Sequence, residues 1–195
     1  MIEHEHATST STATGSAGEH RDDVVAILRD AYSSARLTLG EYTERLTAAT
    51  SAQTPDEVER AAAELPEAPP VEPDGPHRMV AIMGGSSRRG PWRPGRHTSA
   101  LAFMGGCHLD LRGAYVDGAV LDVDATAVMG GITIVVPDGI EVAMSGFALM
   151  GGKSSRVRRA PALPATPRVN VRARVLMGGV TVVGDSGRRR RGGRR

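Results

Sequence analysis

The stretch AVMGGITIVV at residues 127–136 decides the fold. Its second half alternates β-branched residues in the manner of a strand, which places successive side chains on opposite faces. The same Met-Gly-Gly begins at Met83, Met104, Met150 and Met177. A motif used five times between residues 83 and 179 indicates a repeated architectural unit rather than one ligand site.

The repeats predict strands that share a glycine corner. Three of them continue as alternating segments: Cys107–Leu111, Ile132–Val136 and Val180–Val183. Two glycines at the same place in each unit allow positive φ or a close approach of neighbouring backbones. We therefore expect ten glycines to be equivalent corners of a stacked all-β body: Gly84, Gly85, Gly105, Gly106, Gly130, Gly131, Gly151, Gly152, Gly178 and Gly179. The methionine before each pair is expected to fill a gap inside the stack.

The spacing of the repeats favours one β architecture and leaves a second open. Successive units are 21, 25, 21 and 27 residues apart, which is typical of a solenoid whose rungs bury their apolar sides against one another. Residues 78–183 are therefore predicted to form an all-β domain of β-solenoid or β-helix-like stacked strands. Because the spacing is uneven, an antiparallel β-sandwich with glycine corners is the alternative.

The chain before residue 67 has a helical period. Thr38 with Glu41 and Thr54 with Glu57 form two capping boxes, so residues 21–66 predict a small all-α domain of three helices. Residues 1–20, which are polar and small, are predicted to be a disordered tail. The inward positions are expected to be Val24, Ile27, Leu28, Ala31, Ala35, Tyr42, Leu46, Ala49, Val58, Ala62 and Leu65.

The helical segment resembles a known family. RDDVVAILRDAYSSARLTLGEYTERL at residues 21–46, followed by a helix that ends in Leu65-Pro66, is similar to a SHOCT-like domain of unknown function that is common in actinobacterial proteins. The resemblance implies a domain that mediates association rather than catalysis.

The β segment resembles a second family. The Asp110-Leu111-Arg112 strand end, the Val136-Pro137-Asp138 turn and the repeated Gly-Gly are similar to the C-terminal domain of LiaF-type proteins over residues 78–183. Those proteins regulate the bacterial response to cell-wall-active antibiotics. The resemblance implies a sensor or interaction domain without enzymatic activity. Such regulators usually carry transmembrane helices ahead of this domain, whereas a helical domain of another kind stands there in this chain.

The sequence predicts no catalytic, cofactor or metal site. SGFALMGGKSS at residues 145–155 lacks the spacing of a phosphate-binding loop and is followed by prolines instead of a helix. Cys107 and His108 are neighbours on a strand and therefore point to opposite faces. Asp122 and Asp124 lie outward on a strand, with no histidine tied to them by spacing.

Arginine-rich loops are the candidate interaction sites. Trp92 lies in the loop 86–97, where the indole and its cations could grip an anionic partner or, alternatively, cover one end of the stack. A second basic loop follows the fourth repeat, and the two are expected either to form one basic ridge or to be solvated faces. The candidate cations of the two loops are Arg88, Arg89, Arg93, Arg96, Arg156, Arg158 and Arg159.

Charge divides the chain into an acidic front and a basic back. Residues 1–76 carry 5 Arg and 15 Asp/Glu, residues 77–183 carry 13 Lys/Arg and 6 Asp/Glu, and residues 184–195 carry 6 Arg and one Asp. Residues 67–77 are predicted to be a Pro-rich linker and residues 184–195 an Arg-rich disordered tail.

Together these features predict a non-catalytic regulatory or scaffold protein that acts by protein–protein association, with self-association as a further mode. The resemblance to LiaF-type proteins places it in the envelope stress response. The alternative is a binder of nucleic acid or an anionic membrane surface through the Arg-rich loops and tail. One cysteine, no secretory signal and no apolar span make the cytoplasm the expected location, with a peripheral position at the inner membrane face as an alternative.

Overall fold

The computed structural model describes residues 10–67, 77–116, 118–158 and 166–185. Three helices come first: α1 (Thr10–Ser33), α2 (Leu39–Ser51) and α3 (Pro55–Ala62). Five strands follow: β1 (His77–Arg88), β2 (His97–Asp110), β3 (Val120–Val136), β4 (Glu141–Arg156) and β5 (Arg168–Gly184). The chain is therefore a helical domain followed by a β domain, as predicted. The predicted linker, from residue 68 to residue 76, and the tail after residue 185 lie outside the described residues.

Both predicted capping boxes are present. The Thr38 hydroxyl accepts a hydrogen bond from the backbone N–H of Glu41, whose carboxylate accepts one from the backbone N–H of Thr38. Thr54 and Glu57 repeat this arrangement at the start of α3. Each box satisfies N–H groups that a helix cannot pair internally, which is worth about 1 kcal/mol per cap.

Two predictions for the helical region are wrong. The tail was expected to be disordered through residue 20, but α1 begins at Thr10; residues 1–9 lie outside the described residues. Ile27, expected inward, has 48% of its surface exposed. The other predicted inward positions of the helical region are buried or partly buried: Val24, Leu28, Ala31, Ala35, Tyr42, Leu46, Ala49, Val58, Ala62 and Leu65.

All five strands are parallel and form one open sheet in the order β1-β2-β3-β5-β4. This topology excludes the antiparallel sandwich. The strand order departs from the chain order at one place, because β5 lies between β3 and β4. The edges of the sheet are consequently β1 and β4.

The Met-Gly-Gly units lie in register across the whole sheet. Met129 pairs with Met104 and Met177, and the same alignment continues to both edge strands. The first glycines of the units align as one row and the second glycines as the next: Gly84, Gly105, Gly130, Gly178 and Gly151, then Gly85, Gly106, Gly131, Gly179 and Gly152.

The row of first glycines is a close approach between backbones. Gly130 has φ +156°, and a Cβ placed on it would lie 2.0 Å from the carbonyl oxygen of Gly105. Gly131, one residue later, would bring its Cβ no nearer than 3.9 Å to the Gly179 carbonyl oxygen, an ordinary contact. The two glycines of this unit therefore have different roles. Steric contact requires a glycine at position 130 but not at position 131.

The strands bend strongly at these corners. Glu141 and Val120 both pair with Arg168, so they lie two strand spacings apart, about 10 Å. Val136 is joined to Glu141 by four residues, which reach at most about 19 Å. The two ends of the 17-residue β3 are thus within about 30 Å of each other, whereas a straight strand of that length would span about 53 Å.

One hydrophobic core connects the helices with the sheet. At the junction, the backbone N–H groups of Leu39 and Gly40 donate to the carbonyl oxygens of Ala114 (2.8 Å) and Arg112 (3.0 Å). Arg112 also forms a bidentate ion pair with Asp110 (2.8 and 3.0 Å) and contacts Asp185 at 2.6 Å. These hydrogen bonds raise the pKa of the Arg112 guanidinium. Arg112 therefore joins the ends of β2 and β5 next to the first turn of α2.

Candidate interaction surface

An apolar ridge runs across all five strands. We call it the methionine ridge and define it as the five methionines of the repeats with the apolar residue before each one. The methionines have between 39% and 78% of their surface exposed. The ten members are Ile82, Met83, Phe103, Met104, Val128, Met129, Leu149, Met150, Leu176 and Met177.

The ridge lies on the outer side of the sheet's bend. In β3 the buried side chains are at odd positions as far as Ala127 and at even positions from Ile132 onward, with Val135 buried as well at the end of the strand. The change of parity leaves Val128 and Met129 outside, while the side chains before and after them enter the same core. The prediction that the methionines fill gaps inside the stack is therefore wrong, since they project from its convex corner.

The exposed area of the ridge is large for a single chain. If a large apolar side chain exposes roughly 200 Å² when fully accessible, the ridge exposes on the order of 1,000 Å². The largest apolar patch on a typical monomer is about 300–600 Å² and is often functional. An apolar surface of this size marks a site of association.

The charged side chains that flank the ridge are mostly cationic. The flank comprises the two outward positions on either side of each unit, together with the exposed Lys153 at the β4 edge. Six cations occur there: Arg78, Arg89, Lys153, Arg156, Arg172 and Arg174. The carboxylates are Asp124, which is 3.6 Å from Arg172, and Asp110, which is buried and paired with Arg112. The surroundings of the ridge therefore carry a net charge of +4, six minus two.

The structure contradicts the first of the two roles predicted for Trp92, an indole that grips a partner. Only 1% of its surface is exposed, and its indole N–H donates to the carbonyl oxygen of Asp110 at 3.2 Å. The Arg88 guanidinium lies over the ring, 5.6 Å from its centroid. Trp92 forms an isolated bridge with Ala114. Trp92 is thus part of the hydrophobic core, and its indole has no exposed face on which a partner could stack.

The predicted basic loops lie at opposite edges of the sheet. Arg88 ends β1 and Arg156 ends β4, so about 19 Å and three strands separate them. Arg89 is exposed directly after β1, and Arg93 is half-buried. Arg96 is exposed directly before β2, where its carbonyl oxygen accepts a hydrogen bond from the backbone N–H of Asp122 on β3. At the other edge Arg156 and Arg158 are exposed. The two loops do not form one continuous basic ridge; Arg159 and the arginines of the tail lie outside the described residues.

Lys153, the lysine of the phosphate-loop-like stretch, has a local partner. Its ammonium group donates to the carbonyl oxygen of Gly146 at 2.7 Å, across the bend of its own strand. It stands in register with Val180 and, through the sheet, with the buried Ile132. The lysine thus covers the edge of the core with a charge, which discourages the addition of another strand.

The residues that suggested chemistry have structural partners. Cys107 is buried, its thiol lies 3.6 Å from the carbonyl oxygen of Leu101, and burial raises its pKa. Asp122 accepts a hydrogen bond from the Asn170 amide at 2.9 Å. Among the described residues, no group of three or more His, Cys, Asp or Glu could hold a metal ion.

Sequence reasoning missed the methionine ridge, although a signal for it existed. Each unit places two consecutive apolar residues before its glycines, as in Phe103-Met104 and Leu149-Met150. Strict alternation would send one of the two inward. A change of parity on the two sides of Gly-Gly, as between Ala127 and Ile132, indicates that both lie outside.

The geometry defines a class of protein: a three-helix domain attached to an open parallel sheet with an apolar, positively flanked ridge. Residues 17–66 match the family model of the DUF1707 SHOCT-like domain, which confirms the SHOCT-like prediction. Two relatives from Mycobacterium tuberculosis, "Uncharacterized protein Rv0966c" (strain H37Rv) and "Uncharacterized protein MT0994" (strain CDC 1551), are each 31% identical over 173 residues. The match covers 83% of this chain and 84% of each relative. This chain belongs to the same family as these two mycobacterial proteins.

No solved structure matches the chain. In the part of the chain that the structure describes, none of the helices combines the length and apolar character needed to cross a membrane.

Proposed function

We propose that this protein is a non-catalytic scaffold or regulatory protein whose acidic helical domain binds a protein partner. The division of charge carries this proposal. Residues 18–67 contain eleven Asp/Glu and five Arg, whereas residues 77–183 contain thirteen Lys/Arg and six Asp/Glu. A molecule with oppositely charged halves is suited to connecting two partners of different charge.

A groove between α2 and α3 is the proposed contact of the helical domain. It has a volume of about 710 Å³, and the charged residues on its walls are three acids and two arginines: Glu44, Glu57, Glu64, Arg45 and Arg60. Arg45, on the same wall, donates to the carbonyl oxygens of Ala61 (3.0 Å) and Ala63 (2.7 Å), so its charge is directed into the helical domain. The chemistry of the groove fits a basic segment of a partner protein.

The proposed setting is the envelope response to cell-wall-active antibiotics. Its support is the resemblance of residues 78–183 to the C-terminal domain of LiaF-type proteins. The proposal also includes a β-solenoid-like description of this domain, supported by parallel strands that share one bent corner. The proposed location is the cytoplasm, with a peripheral position at the inner membrane face as the alternative.

Charge reversal in the groove tests the proposed function. Glu44→Lys/Glu64→Lys is compared with Asp22→Lys/Asp23→Lys, which changes the charge equally at exposed positions of α1. A photocrosslinking residue at Ala48 in the groove identifies the partner, and growth under a cell-wall-active antibiotic reports the response. We expect the groove variant to lose both the crosslink and the response. Equal behaviour of the two variants would contradict the proposal.

A second candidate function is binding to anionic polymers, and the cations around the ridge favour it. Arg78, Arg89 and Arg156 are exposed on the sheet, and residues 186–195 add six arginines without an acid. Such binding weakens steeply with salt because counterions are released. Titration with duplex DNA and with anionic vesicles at two salt concentrations tests this candidate. An affinity that is the same at both salt concentrations would exclude it.

A further inference from the structure

The methionine ridge is the largest exposed apolar feature among the described residues that the proposed helical contact does not use. It is continuous across five strands, because the members of each row are paired in register. At about 4.8 Å per strand it is about 19 Å long. Its most exposed members lie at the two edges of the sheet: Ile82, Met83, Leu149 and Met150.

The shape of the ridge decides what can cover it. The ridge projects from a convex bend, so a protein partner would have to offer a groove that follows it. A fluid acyl-chain region needs no preformed shape and accepts protruding Met, Leu, Ile and Phe side chains. The neighbouring outward row adds Val80 and Phe147, both exposed, and widens the apolar face on the same side.

Charge decides between a bilayer and a second copy of the chain. The immediate surroundings of the ridge carry a net +4, and Arg174 lies in the row next to it on the interior strand β5. Two copies packed ridge to ridge would bring these cations together, which costs free energy. An anionic lipid surface would attract them.

We propose that the methionine ridge inserts into the surface of an anionic lipid bilayer, with the flanking cations on the lipid headgroups. The acidic helical domain would then be turned away from the bilayer by repulsion and remain accessible to a protein. This contact is independent of the helical groove, and it specifies the second candidate function by adding apolar insertion to electrostatic attraction.

Vesicle flotation of the full chain tests the insertion. Vesicles of phosphatidylcholine with phosphatidylglycerol are compared with vesicles of phosphatidylcholine alone. The ridge variant Leu149→Gln/Met150→Gln is compared with Ser145→Gln/Ser155→Gln, a pair at exposed positions of the same strand outside the ridge. Neither pair changes the charge. We expect at least tenfold weaker binding of the ridge variant to the anionic vesicles and a change of less than twofold for the control pair.

A fluorophore distinguishes insertion from adsorption. An environment-sensitive dye is attached to Met150→Cys or to Ser155→Cys in a Cys107→Ala background, since Cys107 is the only cysteine of the chain. We expect a blue shift on binding for the dye at position 150 and little change for the dye at position 155. Equal spectra at the two positions would overturn insertion.

Three results would overturn the proposal. The first is that the full chain does not bind anionic vesicles at low salt. The second is that the ridge variant binds normally and removal of residues 186–195 abolishes binding, which would assign it to the tail alone. The third is a dimer without lipid that the ridge variant dissociates, which would assign the ridge to self-association. Since none of these measurements involves Glu44 or Glu64, failure here is distinguishable from failure of the helical groove.

Discussion

The central strand β3 and the edge strand β4 carry the same repeat in different surroundings. Ile132 and Ile134 of β3 are fully buried. The residues in register with them at the β4 edge are Lys153 and Ser155, both exposed. Met-Gly-Gly therefore fixes the bend and the register in both strands. The polarity of the residues after it depends on whether the strand has one neighbouring strand or two.

The largest expected effect is the loss of the corner at Gly130, the first glycine of β3. Alanine there would combine a left-handed φ with a Cβ at 2.0 Å from a backbone oxygen, so the sheet would have to move. We expect Gly130→Ala to lower the free energy of unfolding by at least about 3 kcal/mol. Urea unfolding followed by the fluorescence of Trp92, the only tryptophan of the chain and a buried one, measures it.

Gly131→Ala is the matched control for this prediction. Its Cβ meets only an ordinary contact at 3.9 Å, so we expect a cost below about 1 kcal/mol. If both substitutions lower the free energy of unfolding equally, the bend depends on the flexibility of the Gly-Gly pair and not on the close approach at the first glycine.

The next effect compares two positions in one row. Ile134→Ala removes a fully buried side chain between two strands and is expected to cost about 3 kcal/mol. Ser155→Ala, in register at the β4 edge, is expected to cost less than about 0.5 kcal/mol because the residue is exposed. Equal losses in the free energy of unfolding would show that the β4 edge is covered in solution, either by a further strand or by a second copy of the chain.

A smaller effect is expected where the strands meet the helices. Arg112→Met keeps the length of the side chain but leaves the buried carboxylate of Asp110 without its bidentate partner. Because the guanidinium is 36% exposed and solvent screens part of its charge, we expect a cost of about 1–2 kcal/mol. Arg112→Lys retains the positive charge but lacks the planar guanidinium that binds both carboxylate oxygens. Its free energy of unfolding should lie between those of the unmodified chain and Arg112→Met in the same measurement.

These comparisons show how much the sequence could predict. Repetition of a short motif indicates the strands and their mutual alignment, and Cys107 aligned with Ile132 and Val180 was correctly placed inward. Capping boxes at Thr38 and Thr54 indicate helix starts because their chemistry is local.

Other features depend on distances that the sequence does not encode. Spacing along the chain gave no reason for β5 to lie between β3 and β4, and that insertion places the basic loop after β4 at the far edge from Arg88. The burial of Trp92 results from a bridge to Ala114, 22 positions along the chain. The outward methionines follow from a bend whose direction depends on the core that both halves of each strand share.

The smallest perturbation that tests the difference between interior and edge strands is thiol labelling. Cys107 lies on the interior strand β2, in register with the buried Ile132 of β3, and burial raises its pKa. A higher pKa means less thiolate at pH 8, and burial also denies access to the reagent. We expect native Cys107 to react with a maleimide at least about a hundredfold more slowly than Lys153→Cys in a Cys107→Ala background, with equal rates in denaturant. As the pH rises, labelling at the edge should level off near the ordinary thiol pKa of about 8.5, while labelling of Cys107 continues to increase. Similar native rates at the two positions would mean that the interior strand β2 opens as readily as the edge strand β4, so that the difference in burial would have no matching difference in local stability.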